Sequence, residues 1–251
     1  MTKSERHTGA DNNITTEWFK EWSNEYDSTL GKVKRHQELL DLVVKLSGVK
    51  DNDTVLDIGC GTGLLSLKFL DKARCKVFGI DSSENMLAIF NRKIEKLSLG
   101  KRITTRLEDA SSLKFQHDTF DIVASTVTLH HLKNKYPSVK KIHDIVKPGG
   151  RFVVGDINVD TTGKLTDVTR LKRLMAFLTD ELTFALKDGG VDAFKRMYDN
   201  GKKHILNDGE YCISFAQWAA LCKRAGFAKV TIYPLPKFKW FKVLVAQKAV
   251  K

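Results

Sequence analysis

The chain lacks the long apolar segments that cross membranes. In its 251 residues no apolar run approaches the roughly 20 residues that a membrane-spanning helix needs. The polar start, residues 1–13, also lacks the apolar core of a signal peptide. We therefore expect a cytoplasmic protein without a membrane span, in which residues 1–13 form a disordered arm.

Cysteine is scarce, and its spacing excludes the usual cysteine-based sites. The four cysteines are Cys60, Cys75, Cys212 and Cys222, and no two of them form a CxxC pair. Zinc sites and redox couples are typically built from such close pairs. The sequence therefore predicts free thiols and no bound metal.

Acidic residues are too few to balance the basic ones. The chain has 42 Lys and Arg against 30 Asp and Glu, a net charge of +12, and residues 211–251 contain eight basic residues and no acid. Such an excess can indicate nucleic-acid binding. However, 31 of the basic residues are lysine and 11 are arginine, whereas bidentate phosphate and base recognition favours arginine. We therefore interpret the tail as a solvated lysine face, with an anionic substrate or membrane surface as alternatives.

The most informative stretch is residues 55–65. A short apolar run reaches Asp57, then glycine recurs at Gly59, Gly61 and Gly63, and a helix-like pattern follows. This order predicts a strand, a tight turn and a helix start. Glycines allow the sharp turn and let a ligand lie against the backbone, while the free N–H groups of the helix start face that ligand.

Two acids indicate what the ligand carries. Asp57 ends the predicted strand, where a carboxylate would repel a pyrophosphate but hold a cationic ammonium group. The third glycine of the dinucleotide fingerprint is replaced by Leu64. Asp81 ends the next predicted strand, about 20 residues past the glycines, where a carboxylate accepts hydrogen bonds from ribose hydroxyls. These details favour a ligand with an amino-acid part and a ribose.

Five sequence segments, in the order in which they occur along the chain, resemble those of the class I S-adenosylmethionine-dependent methyltransferases. The likeness runs from about Thr54 to Ile157, and the Leu129-His130-His131-Leu132 stretch is similar to the group that includes quinone-ring and sterol methyltransferases. The segments are Val55 to Leu65, Gly79-Ile80-Asp81, Leu107-Glu108-Asp109-Ala110, Phe120-Asp121-Ile122-Val123 and Lys147 to Phe152.

The resemblance implies an α/β fold with a Rossmann-like, seven-stranded, mostly parallel sheet and an antiparallel last strand. We expect one domain over residues 14–251, with an N-terminal helical lid at 14–50 and a helical cap insert at 158–213. The insert shows helical patterns at 168–187 and 191–201 and is too long for an ordinary connection. We expect its apolar residues to bury one face and to cap the acceptor pocket; a dimer surface is the rival role. The protein would be a monomer or a homodimer.

The resemblance also implies that S-adenosylmethionine is the cofactor. Tyr26 would belong to the lid over it, Asp81 would hold the ribose, and Met86 would press against the adenine unless it is a core methionine. Lys34 and Arg35 are further candidates for the methionine carboxylate. The predicted cofactor-binding residues are Tyr26, Asp57, Gly59, Cys60, Gly61, Gly63, Asp81, Ser82, Met86, Asp109, Ala110 and Ser125.

The acceptor side is less constrained by the sequence. The sulfonium methyl is already activated, so the protein mainly has to place a nucleophile in line with it and exclude water. A general base is needed only if the acceptor must lose a proton. His130, just past the fourth strand, is the candidate catalytic residue, and His204 and Tyr211 could orient a small-molecule acceptor.

Two alternative functions remain open at this point. The first is an RNA or protein methyltransferase that uses the basic C-terminal surface. Residues 125–128, however, lack the Asn or Asp followed by Pro-Pro and an aromatic that is often seen in enzymes acting on nucleobase amines. The second is a non-catalytic regulator that binds the cofactor, although the cofactor motifs are intact. We expect a small-molecule partner and no specific nucleic acid.

Overall fold

The computed structural model describes residues 27, 33–164, 166–201 and 211–250. The predicted arm at 1–13 and residues 14–26 and 28–32 of the predicted lid at 14–50 lie outside these residues.

Seven strands form one sheet in the order β3-β2-β1-β4-β5-β7-β6. β7 runs antiparallel to both of its neighbours, and the other strand pairs are parallel. The predicted fold class is confirmed. The strands are β1 Thr54–Ile58, β2 Lys76–Asp81, β3 Ile103–Leu107, β4 Phe120–Thr126, β5 Val146–Ile157, β6 Lys229–Pro234 and β7 Phe241–Gln247.

The described helices alternate with the parallel strands. Ser83 caps α3 by accepting the N–H of Met86, and a capping box between Ser214 and Gln217 starts α6. The helices are α1 Lys34–Ser47, α2 Leu64–Lys72, α3 Glu84–Lys96, α4 Tyr136–Ile145, α5 Val168–Asn200 and α6 Phe215–Ala225, with a 3-10 turn at Leu129–His131.

The sheet separates two hydrophobic cores. α1, α2, α3 and the first half of α5 cover one face, whereas α4 and α6 cover the other. The strand order reverses between β1 and β4. In open α/β sheets the crevice at such a switch point, outside the carboxyl ends of the strands, is where ligands bind.

The insert, residues 158–213, is not a separate cap, because part of α5 packs into the hydrophobic core of the domain. Leu174, Phe177 and Leu178 of α5 belong to the same hydrophobic core as α1 and β7. The expectation of one buried apolar face is wrong in part, because Met175 and Leu186 are 58% and 47% exposed. The two predicted helices form one element whose backbone is non-helical at Gly190.

Hydrogen bonds fasten the two ends of the insert to each other. The Asn158 side chain accepts the Phe215 N–H at 3.0 Å. The Thr161 N–H and hydroxyl both donate to the Cys212 carbonyl, at 3.0 and 3.1 Å. The chain therefore leaves and re-enters the sheet region at one place.

Arg35 joins α1 to α5 instead of reaching toward the glycine loop. Its guanidinium forms an ion pair with Glu181, and both side chains are buried. The same guanidinium lies 4.3 Å from the centroid of the Phe241 ring. This geometry does not support the hypothesis that Arg35 binds the methionine carboxylate.

Among the described residues, no helix is both long enough and apolar enough to cross a membrane.

Candidate functional site

The glycine-rich loop between β1 and α2 has the backbone that its sequence predicts. Gly59, Gly61 and Gly63 have φ angles of 70, 52 and 88°. A Cβ would lie 2.1 Å from the Thr128 side chain at Gly59 and 2.1 Å from the Phe90 ring at Gly63. At Gly61 it would meet no atom of the described residues within 4 Å. Gly59 and Gly63 are therefore needed for packing, whereas the space beside Gly61 is not filled by any residue that the structure describes.

The start of the loop is fastened to the end of β2. The N–H groups of Gly59 and Cys60 both donate to the Ile80 carbonyl, at 2.8 and 2.9 Å. Burial raises the pKa of the Cys60 thiol well above its usual value, and the charges of Asp57 and Asp81 add to this shift. Cys60 is therefore a protonated thiol that supports the loop.

Asp57 lies near the end of β1, directly before the loop, and is shielded from solvent. Its side chain is buried, and its Oδ2 accepts the Ser66 hydroxyl at 2.6 Å. Burial raises the pKa of Asp57 to about 7; the hydrogen bond from Ser66 opposes this shift, and the charge of Asp81 adds to it. A buried carboxyl of this kind suits a cationic partner, because an opposite charge favours its ionised form.

Asp81 connects β2 to the loop and to α3. Its Oδ2 accepts the Gly61 N–H at 2.8 Å, and its Oδ1 accepts the Ser83 N–H at 2.9 Å. Burial raises the pKa of Asp81, and the hydrogen bonds from these N–H groups oppose the shift because they favour the ionised carboxylate. Each carboxylate oxygen has a second lone pair that can accept a ribose hydroxyl. Ser82 is exposed beside it.

The predicted adenine contacts lie on the elements after β2 and β3. Met86 is buried in the first turn of α3. Asp109 accepts the N–H of the second residue after it at 2.6 Å, and Ala110 is half-buried beside it. Ser125 is fully buried and donates its hydroxyl to the Ile58 carbonyl at 2.9 Å. The roles of these residues toward the cofactor stay predictions.

Tyr26, the predicted lid residue, lies outside the described residues, but its neighbour Asp27 contacts the loop. Asp27 accepts the Thr62 hydroxyl at 2.6 Å and pairs with Lys93 at 2.5 Å. Lys93 also donates to the Thr62 carbonyl at 2.8 Å. The segment before α1 is thus joined to the glycine loop at Asp27.

His130 lies at the carboxyl ends of β4 and β5. It occupies the 3-10 turn after β4, and its Nδ1 is 2.7 Å from Oδ1 of Asp156 in β5. Both side chains are buried. The predicted catalytic histidine is therefore paired with a carboxylate at the edge of the sheet that also carries Asp57 and Asp81.

Residues from the end of the insert meet His130 through the backbone. The Tyr211 N–H donates to the His130 carbonyl at 2.9 Å. Lys135 is buried, and its Nζ donates to the carbonyls of His130, Leu132 and Tyr211. Burial lowers the pKa of Lys135 to about 8. His204 lies outside the described residues.

Asp156 and Lys135 are the residues of this cluster that sequence reasoning missed. Asp156 stands within the apolar run of β5, so it looked like an ordinary strand residue. The signal that could have found it is its place next to last in a parallel strand, since Asp57 and Asp81 occupy the corresponding ends of β1 and β2. Lys135 offers no comparable signal, because its partners are backbone carbonyls.

The central part of the chain matches a known family. Residues 55–150 match the family model described as methyltransferase domain. The 27-O-demethylrifamycin SV methyltransferase of Amycolatopsis mediterranei is 26% identical over 161 residues, which is 61% of this chain and 59% of the relative. The demethylmenaquinone methyltransferase of Bacillus mycoides is 30% identical over 139 residues, 54% of this chain and 58% of the relative. The match thus spans less than two thirds of the length of these relatives.

A solved structure agrees over a larger share of the chain. Phosphoethanolamine N-methyltransferase 2 of Haemonchus contortus, in complex with phosphomonomethylethanolamine and S-adenosylhomocysteine, has a TM-score of 0.69 at 17% identity. The likeness covers 98% of this chain and 61% of that one, and at this identity it concerns the fold alone. Fold, glycine loop and family match therefore agree in residues 55–150, which are similar to a methyltransferase domain.

Proposed function

We propose that this protein transfers the methyl group of S-adenosylmethionine to a small-molecule acceptor. The observation that carries this proposal is the pair of carboxyl groups, Asp57 and Asp81, which flank a glycine loop where a Cβ at Gly61 would meet none of the described residues. This donor set fits a ligand that has an ammonium group at one end and ribose hydroxyls further along. When bound, this cofactor supplies an activated methyl group on a sulfonium sulfur.

The residues would hold the cofactor in sequence along the sheet edge. Asp57 would receive the ammonium group, and the backbone of the loop would line the methionine part. Asp81 would accept the ribose hydroxyls without giving up its bond to the Gly61 N–H. Met86 would lie against the adenine, with Asp109 near its amino group.

The acceptor would lie on the β4 and β5 side. His130 and Tyr211 meet there, and the insert begins and ends beside them. We therefore infer that residues 158–213 help to select the acceptor, although the first half of α5 is also part of the core. The names of the relatives, a rifamycin and a menaquinone methyltransferase, support a small acceptor. A cytoplasmic location and a monomeric or homodimeric state complete the proposal.

Calorimetry with the full chain tests the cofactor half. S-adenosylmethionine and S-adenosylhomocysteine should bind and NAD should not. The variant Asp81→Ala should lose about ten- to a hundredfold in affinity, because hydrogen bonds to a charged group are removed. Asp81→Asn, which retains one acceptor oxygen, should lose less.

The matched control is Asp41→Ala, which removes an exposed carboxylate from an ion pair with Lys68. It should leave cofactor affinity unchanged. Equal affinity in Asp81→Ala and in the control would overturn the assignment. For the acceptor half, a metabolite extract free of macromolecules should support formation of S-adenosylhomocysteine; turnover that needs RNA or protein would contradict a small-molecule acceptor.

A further inference from the structure

A lysine, an aspartate and a threonine form a closed set of contacts in the middle of the glycine loop. The Lys93 ammonium lies 2.5 Å from Oδ2 of Asp27 and donates to the Thr62 carbonyl at 2.8 Å. The other carboxylate oxygen of Asp27, Oδ1, accepts the Thr62 hydroxyl at 2.6 Å. Thr62 stands between Gly61 and Gly63 and is 1% exposed. Lys93 and Asp27 therefore hold the carbonyl and the hydroxyl of this loop residue and also bind each other.

The loop depends on such contacts for its shape, because glycine restricts the backbone little. Gly61 and Gly63 both have positive φ angles, and without a Cβ they can leave this conformation easily. The Gly61 N–H is held by Asp81, and the Gly63 N–H by the Cys60 carbonyl at 2.8 Å. Those bonds fix N–H groups on either side of Thr62. Lys93 and Asp27 fix the polar groups of Thr62 itself.

Helix α3 brings the lysine to the loop beside an apolar contact. Phe90 and Lys93 are three residues apart and so lie on one face of the helix. Phe90 is buried against Gly63, where an added Cβ would lie 2.1 Å from its ring. The side chains of Lys93 and Asp27 are only 23% and 39% exposed. Partial shielding from water strengthens the attraction between them relative to a fully solvated pair.

We propose that Lys93 and Asp27 are positioning residues for the cofactor, which hold the glycine loop through Thr62 in the shape that receives S-adenosylmethionine. This proposal rests on the function proposed above. A loop that is already ordered binds its ligand more tightly, because binding no longer has to restrict its backbone. Asp27 precedes α1, so cofactor affinity should depend on a residue outside the range 55–150 that matches the family model.

The first test removes the cation and compares the loss with that of a neighbouring lysine. Lys93→Met retains a good helix former, and its affinity for S-adenosylhomocysteine in calorimetry should fall about tenfold, as expected for a lost hydrogen bond to a charged group. The matched control is Lys96→Met, which removes the same charge from an exposed position in the last turn of the same helix. The control should retain wild-type affinity within about twofold.

A second measurement separates positioning from general stabilisation. The melting temperature of ligand-free Lys93→Met should change by less than about 3 °C, because a half-exposed ion pair contributes little to global stability. Release of S-adenosylhomocysteine, followed by surface plasmon resonance, should be faster in Lys93→Met, since losses of affinity appear mainly in the dissociation rate. Lys93→Arg, which keeps a cation on a long side chain, should recover part of the affinity.

A double variant tests whether the two residues act together. Asp27→Ala should weaken binding in the same direction as Lys93→Met. In protein that already carries Asp27→Ala, the Lys93→Met substitution should cost clearly less affinity than it does alone, because residues that act through one contact are not additive.

The possible results distinguish this inference from the proposed function. The inference is overturned if Lys93→Met binds as well as Lys96→Met, if Lys93→Arg loses as much affinity as Lys93→Met, or if the losses from Lys93 and Asp27 are independent. It is also overturned if the loss of affinity accompanies a fall of about 10 °C or more in melting temperature, which would assign the pair to the stability of the fold. Failure of the wild-type protein to bind S-adenosylhomocysteine would instead remove the proposed function itself.

Discussion

The carboxyl group of Asp57 couples the stability of the protein to pH. Its pKa is raised to about 7 in the folded protein, whereas the value in an unfolded chain is about 3.9. The folded state therefore binds the proton more tightly between these values. The stability that this group contributes is fully present below about pH 4 and is lost as the pH rises through about 7.

Replacing Asp57 with asparagine should therefore stabilise the protein and impair binding together. We expect Asp57→Asn to raise the free energy of unfolding at about pH 8 by on the order of 3 kcal/mol, with the gain shrinking toward pH 4. Affinity for S-adenosylmethionine should fall, because the ammonium group loses its opposite charge. Urea unfolding at several pH values and calorimetry measure the two effects.

The control for this variant is Asp41→Asn on the surface, which should show little change at any pH. A gain in Asp57→Asn that did not vary with pH would show that the buried charge is not its cause.

Sequence reasoning works for single residues when their chemistry is local. The places of Asp57, Gly61 and Asp81 in the fold could be predicted because a strand end, a turn and a second strand end are visible in the order of residues. Asp156 could not, because its partner His130 is brought to it only by the pairing of β4 with β5. Lys135 is harder still to predict, since backbone carbonyls hold its buried ammonium group. Every residue has a backbone carbonyl, so the sequence does not show which ones a lysine will meet.

Helices α1 and α5 are held together by a charge pair inside an otherwise apolar contact. Burial lowers the pKa of Arg35 to about 10, and Glu181 is its partner. Arg35→Met should lower the free energy of unfolding by about 3 to 5 kcal/mol, because Glu181 is left as an unpaired buried charge. The double variant Arg35→Met/Glu181→Leu should recover most of this loss. Urea unfolding measures both.

A second, more exposed ion pair on α1 provides the comparison. Lys68 and Asp41 join α2 to α1 at 2.5 Å, and the Asp41 side chain is 65% exposed. Lys68→Met should change stability by about 1 kcal/mol or less. A similar small effect in Arg35→Met, or a double variant no more stable than the single one, would contradict the buried-pair interpretation.

At the level of elements, the periodic pattern predicted the two helical stretches of the insert but not which of their apolar side chains are buried. The break in α5 at Gly190 lies between the two helical patterns that the sequence shows. The exposure of Met175 and Leu186 could not be foreseen, because the pattern gives a residue's face but not which faces find partners. The pairing of Arg35 with Glu181 is likewise a product of tertiary packing.

For the whole molecule, the positive charge of the C-terminal part is partly neutralised within the fold. Lys239 pairs with Asp180 at 2.6 Å. Lys248 pairs with Asp118 at 2.7 Å and also donates to the carbonyls of His143 and Val146. These lysines hold the last strands against the body of the domain.

We therefore expect RNA to bind weakly and without sequence preference. Dissociation constants should be larger than about 1 μM at physiological salt. They should increase steeply as the salt concentration rises, as for binding through phosphate contacts alone. Gel shifts with several RNA sequences and a duplex DNA of equal length, in rising salt, measure this. Tight binding of one sequence that survives moderate salt would favour the RNA methyltransferase alternative.

The bonds that fasten the ends of the insert, between Asn158 and Phe215 and between Thr161 and Cys212, bear on how such a protein can diverge. Because both ends are fixed to one another, changes in the length or sequence of the chain between them need not move the strand ends that carry Asp57, Asp81 and the His130 turn. Provided that the inner face of α5 keeps its core contacts and that the insert has its proposed role, a lineage can exchange this segment as a module and acquire a new acceptor while the proposed cofactor site stays unchanged.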